Sequence, residues 1–362
     1  MTKSDFIFML LRSALWQTHI DHFDMSTWEY KEVVKFAEKQ CVLGLVTDCL
    51  RTNNVGLPKK CVIHMLKLQN SLTIENTHIN ENLKQLVDLL KRHGIDYVIV
   101  KGQTLGTLYP KPLLRVPGDI DFFVPSTHKA DTLDILSINW KIDKFDYNPD
   151  GKEIAFKYQK TNFELHNSLL LFENKRVASY FSQLVEESGK INVYVGECEI
   201  HTLEPTLNIF YTFGHLYHHF RSEGIALRQL CDLALLLHAH IDSIDKERLN
   251  GILRQTGYTR AFATFGHILV EKLGLPNDEF PIQITNKDVK MAKKVLKVIL
   301  GGGNWGKYSR NGNNKKGMIH ALETGWIRIS HDIVFFTLSP KENFFLLVKE
   351  IPRRVVQLMK RI

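Results

Sequence analysis

Apolar residues recur at helical spacing through the first 95 residues and again beyond Pro205, with a different texture between them. The stretch TWEYKEVVKFAEKQCVLGLVTDCL keeps its apolar positions at helical intervals, and Ser26-Thr27 offers a cap before it. A long amphipathic stretch, VIHMLKLQNSLTIENTHINENLKQLVDLLKRHG, follows and stops at Gly94, a residue type that ends helices. The N-terminal MTKSDFIFMLLRSALWQTHIDHF also reads as a helix. Arg12 interrupts its apolar run and no small-residue cleavage site follows, so it lacks the form of a signal peptide. From Ile95 the period shortens. IDYVIV predicts a strand, KGQTLGTLY a turn leading into a short helix, and PKPLLRVPG an irregular segment because of its three prolines. DIDFFV predicts the next strand, and STHKADTLDIL a helix opened by Ser126 or Thr127. KIDKFDYN, EIAFKYQK and NFELHNSL predict three more strands, and INVYV with CEIHTL a hairpin ending near Leu203. Helices return with TLNIFYTFGHLYHHF, ALRQLCDLALLLHAHI, KERLNGILRQTG and AFATFGHILVEKLG, and a helical, basic stretch ends the chain.

The expected class is therefore α+β: a helical region at 1–94, a small mixed sheet with helices at 95–203, and a second helical region at 204–362. The last contains a basic, Gly/Asn-rich loop at 301–317. No internal repeat is apparent. With 44% apolar and 24% charged residues the composition is that of a globular protein rather than a disordered or fibrous one. No window holds the roughly 18 uncharged apolar residues needed to cross a bilayer. Five cysteines, Cys41, Cys49, Cys61, Cys198 and Cys231, include no C-x-x-C pair, which excludes a disulfide or zinc framework and suits a reducing cytoplasm. The net charge of +8 is uneven. From Lys287 to the end there are 16 Lys+Arg against 5 Asp+Glu, a surplus of 11, which leaves the remainder at −3. A basic C-terminal third suits an anionic partner or, equally, a solvated helical face.

Asp119 and Asp121 pose the chemical question. On a strand they share one face, while Ile120, Phe122 and Val124 take the other. Two ionised carboxylates repel, and burying them unpaired costs several kcal/mol. A divalent metal ion or a basic cluster has to compensate them.

Taken together, Lys101-Gly102, Tyr109-Pro110, Arg115, Gly118-Asp119-Ile120-Asp121, Glu164-Leu165-His166 and HLYHHFRSEGIALRQLCDLALLL resemble the bacterial uncharacterised nucleotidyltransferase family. That family lies within the superfamily built on the polymerase-β-like catalytic core, and the resemblance covers about 90–240. It implies transfer of a nucleoside monophosphate from an NTP such as ATP to a hydroxyl-bearing acceptor, with release of pyrophosphate. It also implies two Mg²⁺ ions, or Mn²⁺ in their place, roughly 3.5–4 Å apart. Asp119 and Asp121 would hold both ions, and Glu164 would be the third carboxylate, binding metal or taking the acceptor's proton. Gly102, at a helix entrance, would let triphosphate approach the backbone. Thr104 stands near where many superfamily members carry a serine directly after the glycine. Lys101 and Arg115 would neutralise phosphate or the acidic pair, and Gly118 leads into that pair. By the same resemblance the H-x-x-H helix lies over the cleft, so His219, Arg228 and Asp232 would contact nucleotide or orient the core. Arg228 and Asp232 also fit an i, i+4 ion pair.

Three other features carry less. His215, His218 and His219 lie on one helical side, but no cysteine or carboxylate completes a zinc set. GGGNWGK, Gly301 to Lys307, satisfies the P-loop spacing, yet Tyr308 replaces the required Ser or Thr and a helical pattern precedes it. The terminal NFFLLVKEIPRRVVQLMKRI mixes apolar and basic residues in the manner of a peripheral membrane helix, although packing against the protein is the better reading. The competing functions are a catalytically inactive nucleotide-binding scaffold and an RNA-directed nucleotidyltransferase. The acceptor is open: a small molecule, a sugar phosphate, a protein side chain or an RNA end.

Overall fold

The computed structural model describes residues 3–148, 151, 153–222, 224–302, 333–345 and 348. It opens with α1 (Lys3–Trp16), α2 (Thr27–Lys39), α3 (Leu43–Thr52) and α4 (Lys59–Arg92). Ser26 begins α2 in a capping box: its hydroxyl accepts from the Glu29 N–H, and the Glu29 carboxylate accepts from the Ser26 N–H. The helical run beyond Thr27 breaks between α2 and α3, where Cys41 takes φ +52. Gln40 explains the break. It is fully buried, its Nε2 donates to the Ile299 carbonyl at 3.2 Å, and its Oε1 accepts from the Leu227 N–H at 3.0 Å. One side chain thus ties the N-terminal helices to two C-terminal ones. α4 ends at Arg92, with His93 as its cap, and Gly94 follows with φ +63.

The central part contains β1 (Val98–Val100), α5 (Gly102–Gly106), β2 (Ile120–Phe123), α6 (Lys129–Trp140), β3 (Asp146–Tyr147), β4 (Glu153–Tyr158) and β5 (Thr161–His166). These strands form one sheet in the order β1-β2-β5-β4-β3, parallel only between β2 and β5. Ser126–His128 forms a short 3-10 turn, so α6 starts at Lys129 rather than at Ser126 or Thr127. A helix that the strand pattern did not anticipate, α7 (Lys175–Glu187), is capped by the Asn174 side chain. The hairpin β6 (Lys190–Val195) and β7 (Cys198–Leu203) closes the region beside β1. Then follow α8 (Pro205–Ser222), α9 (Leu227–Ala239), α10 (Lys246–Thr256), α11 (Thr259–Leu273) and α12 (Asn286–Gly302). α12 includes the first two glycines of GGGNWGK, so helix precedes that motif; its remainder, most of the 301–317 loop and most of the basic end lie outside the described residues.

Two apolar cores set the sheet's orientation. One fills the space between α4, α6 and one sheet face, with Leu86, Leu90, Ile120, Phe122, Phe163 and Leu165 among its members. The other is largely helical, joined by sheet-edge residues such as Val98 and Val100 and loop residues such as Leu169 and Leu170, and it runs from α1 through α12. The sheet face turned toward α8 is therefore the one carrying Asp121, Glu164 and His166, as alternation requires.

Gly44 on α3 lies so close to the 112–114 turn that a Cβ would sit 1.7 Å from the Leu114 carbonyl oxygen, whereas Gly251 on α10 has nothing within 4 Å. Gly44→Ala should lower stability in urea denaturation by about 1–3 kcal/mol through overpacking. Gly251→Ala should raise it by up to about 1 kcal/mol through helix propensity.

Candidate active site

The turn from β1 into α5 is the starting point. Lys101 takes φ +55 and ψ −147, a region that side chains avoid at a cost of about 1–3 kcal/mol. Gly102 follows at φ +42, and a Cβ there would lie 3.1 Å from the Asp119 carbonyl oxygen, so the turn presses against the entrance to β2. Thr104 holds the conformation: its hydroxyl donates to the Lys101 carbonyl at 2.7 Å and its N–H at 2.9 Å. The Thr104 hydroxyl is thereby turned into the turn itself. The consequence is that the Lys101 ammonium stands 2.6 Å from Asp121 Oδ1 and 3.3 Å from His215 Nε2 on α8.

Asp121 is the electrostatic centre. His166 Nε2 lies 2.7 Å from the same Oδ1 and 3.7 Å from Glu164 Oε2. Glu153, paired directly opposite His166 on β4, places Oε2 3.8 Å from the other ring nitrogen, Nδ1. Burial opposes ionisation of Asp121, but Lys101 and then His166 overcome it and hold its carboxyl well below the usual range. Glu164 goes the other way: burial first, then the Asp121 charge, push its carboxyl up to about 8. Tyr211 on α8 is fully buried with a hydroxyl that has no hydrogen-bond partner, and the charges of Asp121, Glu164 and Glu153 all bear on it.

Asp121, Glu164 and His166 offer ligand atoms that all lie within 4.8 Å of one another, the one such group among the described residues. Asp119 precedes β2, at the rim, where its Oδ1 accepts from Asn162 Nδ2 at 3.1 Å. Burial raises its carboxyl as well. Asp119 and Glu164 both line an open cavity of about 690 Å³ that extends past Trp140, Lys157 and Tyr158. His166 and Glu153 join the cluster without having been assigned a role from the sequence. For His166 the signal was its two-residue spacing from Glu164, which on a strand puts both on one face.

Several other motif residues meet elsewhere. Arg115 grips Asp232 on α9 in a fork, Nε to Oδ1 and Nη2 to Oδ2, each at 2.8 Å, and the Tyr109 hydroxyl donates to Oδ1 at 2.7 Å. All three are buried. Burial disfavours both charges, yet the Arg115 guanidinium still holds the Asp232 carboxyl below its ordinary range. Asp232 therefore pairs with Arg115 at long range. Arg228 instead donates through Nη1 to the Val116 and Pro117 carbonyls, at 2.9 and 3.0 Å, beside Gly118. It straps the loop that delivers Asp119. His219 is buried with its ring 4.3 Å from that of His215, behind the Lys101 contact.

The donor set suits a divalent cation: two carboxylates and an imidazole converge, and the orphaned Tyr211 hydroxyl could satisfy a metal-bound water or phosphate oxygen. Residues 26–274 match the model of a family described as uncharacterised nucleotidyltransferase. Among solved structures, an antigenic nucleotidyltransferase-like protein from Paracoccidioides brasiliensis aligns at 12% identity and a TM-score of 0.33, over 62% of this chain and 96% of that chain. No curated protein matches the chain.

Removing one member of a buried ion pair strands the other, at about 3–5 kcal/mol. Arg115→Met should cost that much in urea denaturation, and Arg115→Met with Asp232→Leu should recover a large part of it. The sign for Glu164 follows from its raised carboxyl: between its ordinary value near 4.5 and about 8 the folded state holds more protons than the unfolded one. In chelator, raising the pH across that window should lower the melting temperature of the wild type more than that of Glu164→Gln. Asp121 has the opposite sign, and its stabilising contribution is lost only as the pH falls below the usual carboxylate range.

Proposed function

Since the chain belongs to the uncharacterised nucleotidyltransferase family, we propose that it transfers a nucleoside monophosphate from an NTP to a hydroxyl-bearing acceptor, releasing pyrophosphate. One observation carries this reading: Asp121 and Glu164 sit opposite each other on neighbouring parallel strands, with Asp119 at the mouth of a cavity shared with Glu164. Asp121, Glu164 and Asp119 would hold the divalent cations. Such cations neutralise charge on the transferring phosphoryl group and lower the pKa of an attacking hydroxyl.

The chain's own residues have separable tasks in this scheme. Lys101 neutralises Asp121 before substrate arrives and is placed to turn its ammonium to the triphosphate. Gly102 and Gly118 keep the backbone on either side of the carboxylates free of side chains. Thr104 locks the Lys101 turn. Arg115 and Asp232 act as a brace, Arg228 fixes the Asp119 loop, and His219 backs His215 against Lys101. Glu164, whose carboxyl is pushed up by burial and by the Asp121 charge, would give up its proton as a cation binds. The five cysteines are free, as in a reducing compartment, and among the described residues no helix is long and apolar enough to cross a membrane.

Calorimetric titration with non-hydrolysable NTP analogues tests the proposal. Wild-type binding should require Mg²⁺ or Mn²⁺ and be lost in Asp119→Asn/Asp121→Asn. Protein that binds no nucleotide, or binds it equally well without metal and without the carboxylates, would contradict the transferase reading and support a scaffold.

A further inference from the structure

The inner cluster differs from an all-oxygen magnesium site in one respect. Its third member is an imidazole, fully buried, with Nε2 directed between Asp121 Oδ1 at 2.7 Å and Glu164 Oε2 at 3.7 Å. Behind the ring, Glu153 Oε2 faces Nδ1 at 3.8 Å. A carboxylate behind one ring nitrogen and oxygen ligands in front of the other is the arrangement that orients a metal-bound histidine. Glu153 comes to this place through register: it pairs with His166 across β4 and β5. The buried Tyr211 hydroxyl has no hydrogen-bond partner and feels the charges of the same carboxylates.

We propose that His166 ligates a divalent ion directly through Nε2, with Glu153 as the residue that positions the ring, and that this nitrogen makes the inner site select a first-row transition ion over Mg²⁺. The inference rests on the metal-dependent reading above and refines it by naming the metal class. Mg²⁺ prefers oxygen ligands and sheds water reluctantly, whereas imidazole suits transition ions. Asp119, at the rim, offers oxygen alone, the ligand type Mg²⁺ prefers. Ligation at Nε2 requires the ring proton to stand on Nδ1, the nitrogen that Glu153 faces at 3.8 Å. Lys101, now on the same Asp121 oxygen, already marks the spot where positive charge collects.

The test uses the full chain, stripped of metal and loaded with Mn²⁺ in the absence of nucleotide. Pulsed electron paramagnetic resonance should show ¹⁴N modulation from a directly bound imidazole. The modulation should persist in His215→Ala and vanish in His166→Asn. Titration should show Mn²⁺ binding well ahead of Mg²⁺, with that preference reduced about 10-fold or more in His166→Asn. Glu153→Gln should weaken Mn²⁺ binding by about 10–100-fold while keeping the nitrogen signal. Because His166 is buried and its variant could misfold, the wild-type spectrum and Glu153→Gln decide the matter without it. Bound Mn²⁺ with no nitrogen modulation, or equal affinities for Mn²⁺ and Mg²⁺ in the wild type, would overturn histidine ligation and leave the nucleotidyl-transfer reading standing. Failure to bind any divalent ion, with or without an NTP analogue, would remove both.

Discussion

The arrangement depends on keeping the Asp121 carboxylate ionised inside the protein. An isolated buried carboxylate is prohibitively costly, so the surrounding chain supplies a lysine at 2.6 Å and a histidine at 2.7 Å, both on one oxygen. Reaching that position forces Lys101 into a backbone region normally left to glycine. The next residue is a glycine because Asp119 lies too close for a side chain in that conformation. The Thr104 hydroxyl then ties the turn down. Local strain, a glycine and a threonine, scattered along KGQT, share one cause.

The same constraint explains why the helical halves have to meet. α8 lays His215 and Tyr211 over the carboxylate face, and α9 contributes Asp232 to hold Arg115 and Arg228 to hold the loop before Asp119. Gln40 locks the N-terminal helices to α9 and α12. The site is thus assembled from one strand pair and braced from both ends of the chain.

Much of this was legible in the sequence because it is local. Period-two alternation in DIDFFV sets Asp121 away from its apolar neighbours, and in NFELH it sets Glu164 and His166 together; that these faces coincide is decided by the pairing of β2 with β5. The capping residue Ser26 and the stop at Gly94 are likewise local signals. What could not be read depends on tertiary packing and strand register, some of it between residues more than a hundred positions apart. The partner of Asp232 is Arg115 rather than its helical neighbour Arg228, which only the packed structure decides. The break after Lys39 arises from what the buried Gln40 reaches in α9 and α12, not from a helix-breaking residue. The pairing of Glu153 with His166 follows from strand register, and register is set by the turn and the core, not by either residue's own type. Asp119 shares a face with Asp121 in pattern, yet it stands outside the strand and at the rim.

The central claim is that these carboxylates direct a nucleoside monophosphate, rather than a phosphoryl group, onto an acceptor. It is tested most directly by incubating the protein with Mg²⁺ and Mn²⁺, extracts containing candidate acceptors, and NTPs radiolabelled at either the α- or the γ-phosphate. α-Label should enter an acceptor and γ-label should leave as pyrophosphate, and both outcomes should require Asp121. Transfer of γ-label with release of nucleoside diphosphate would contradict it.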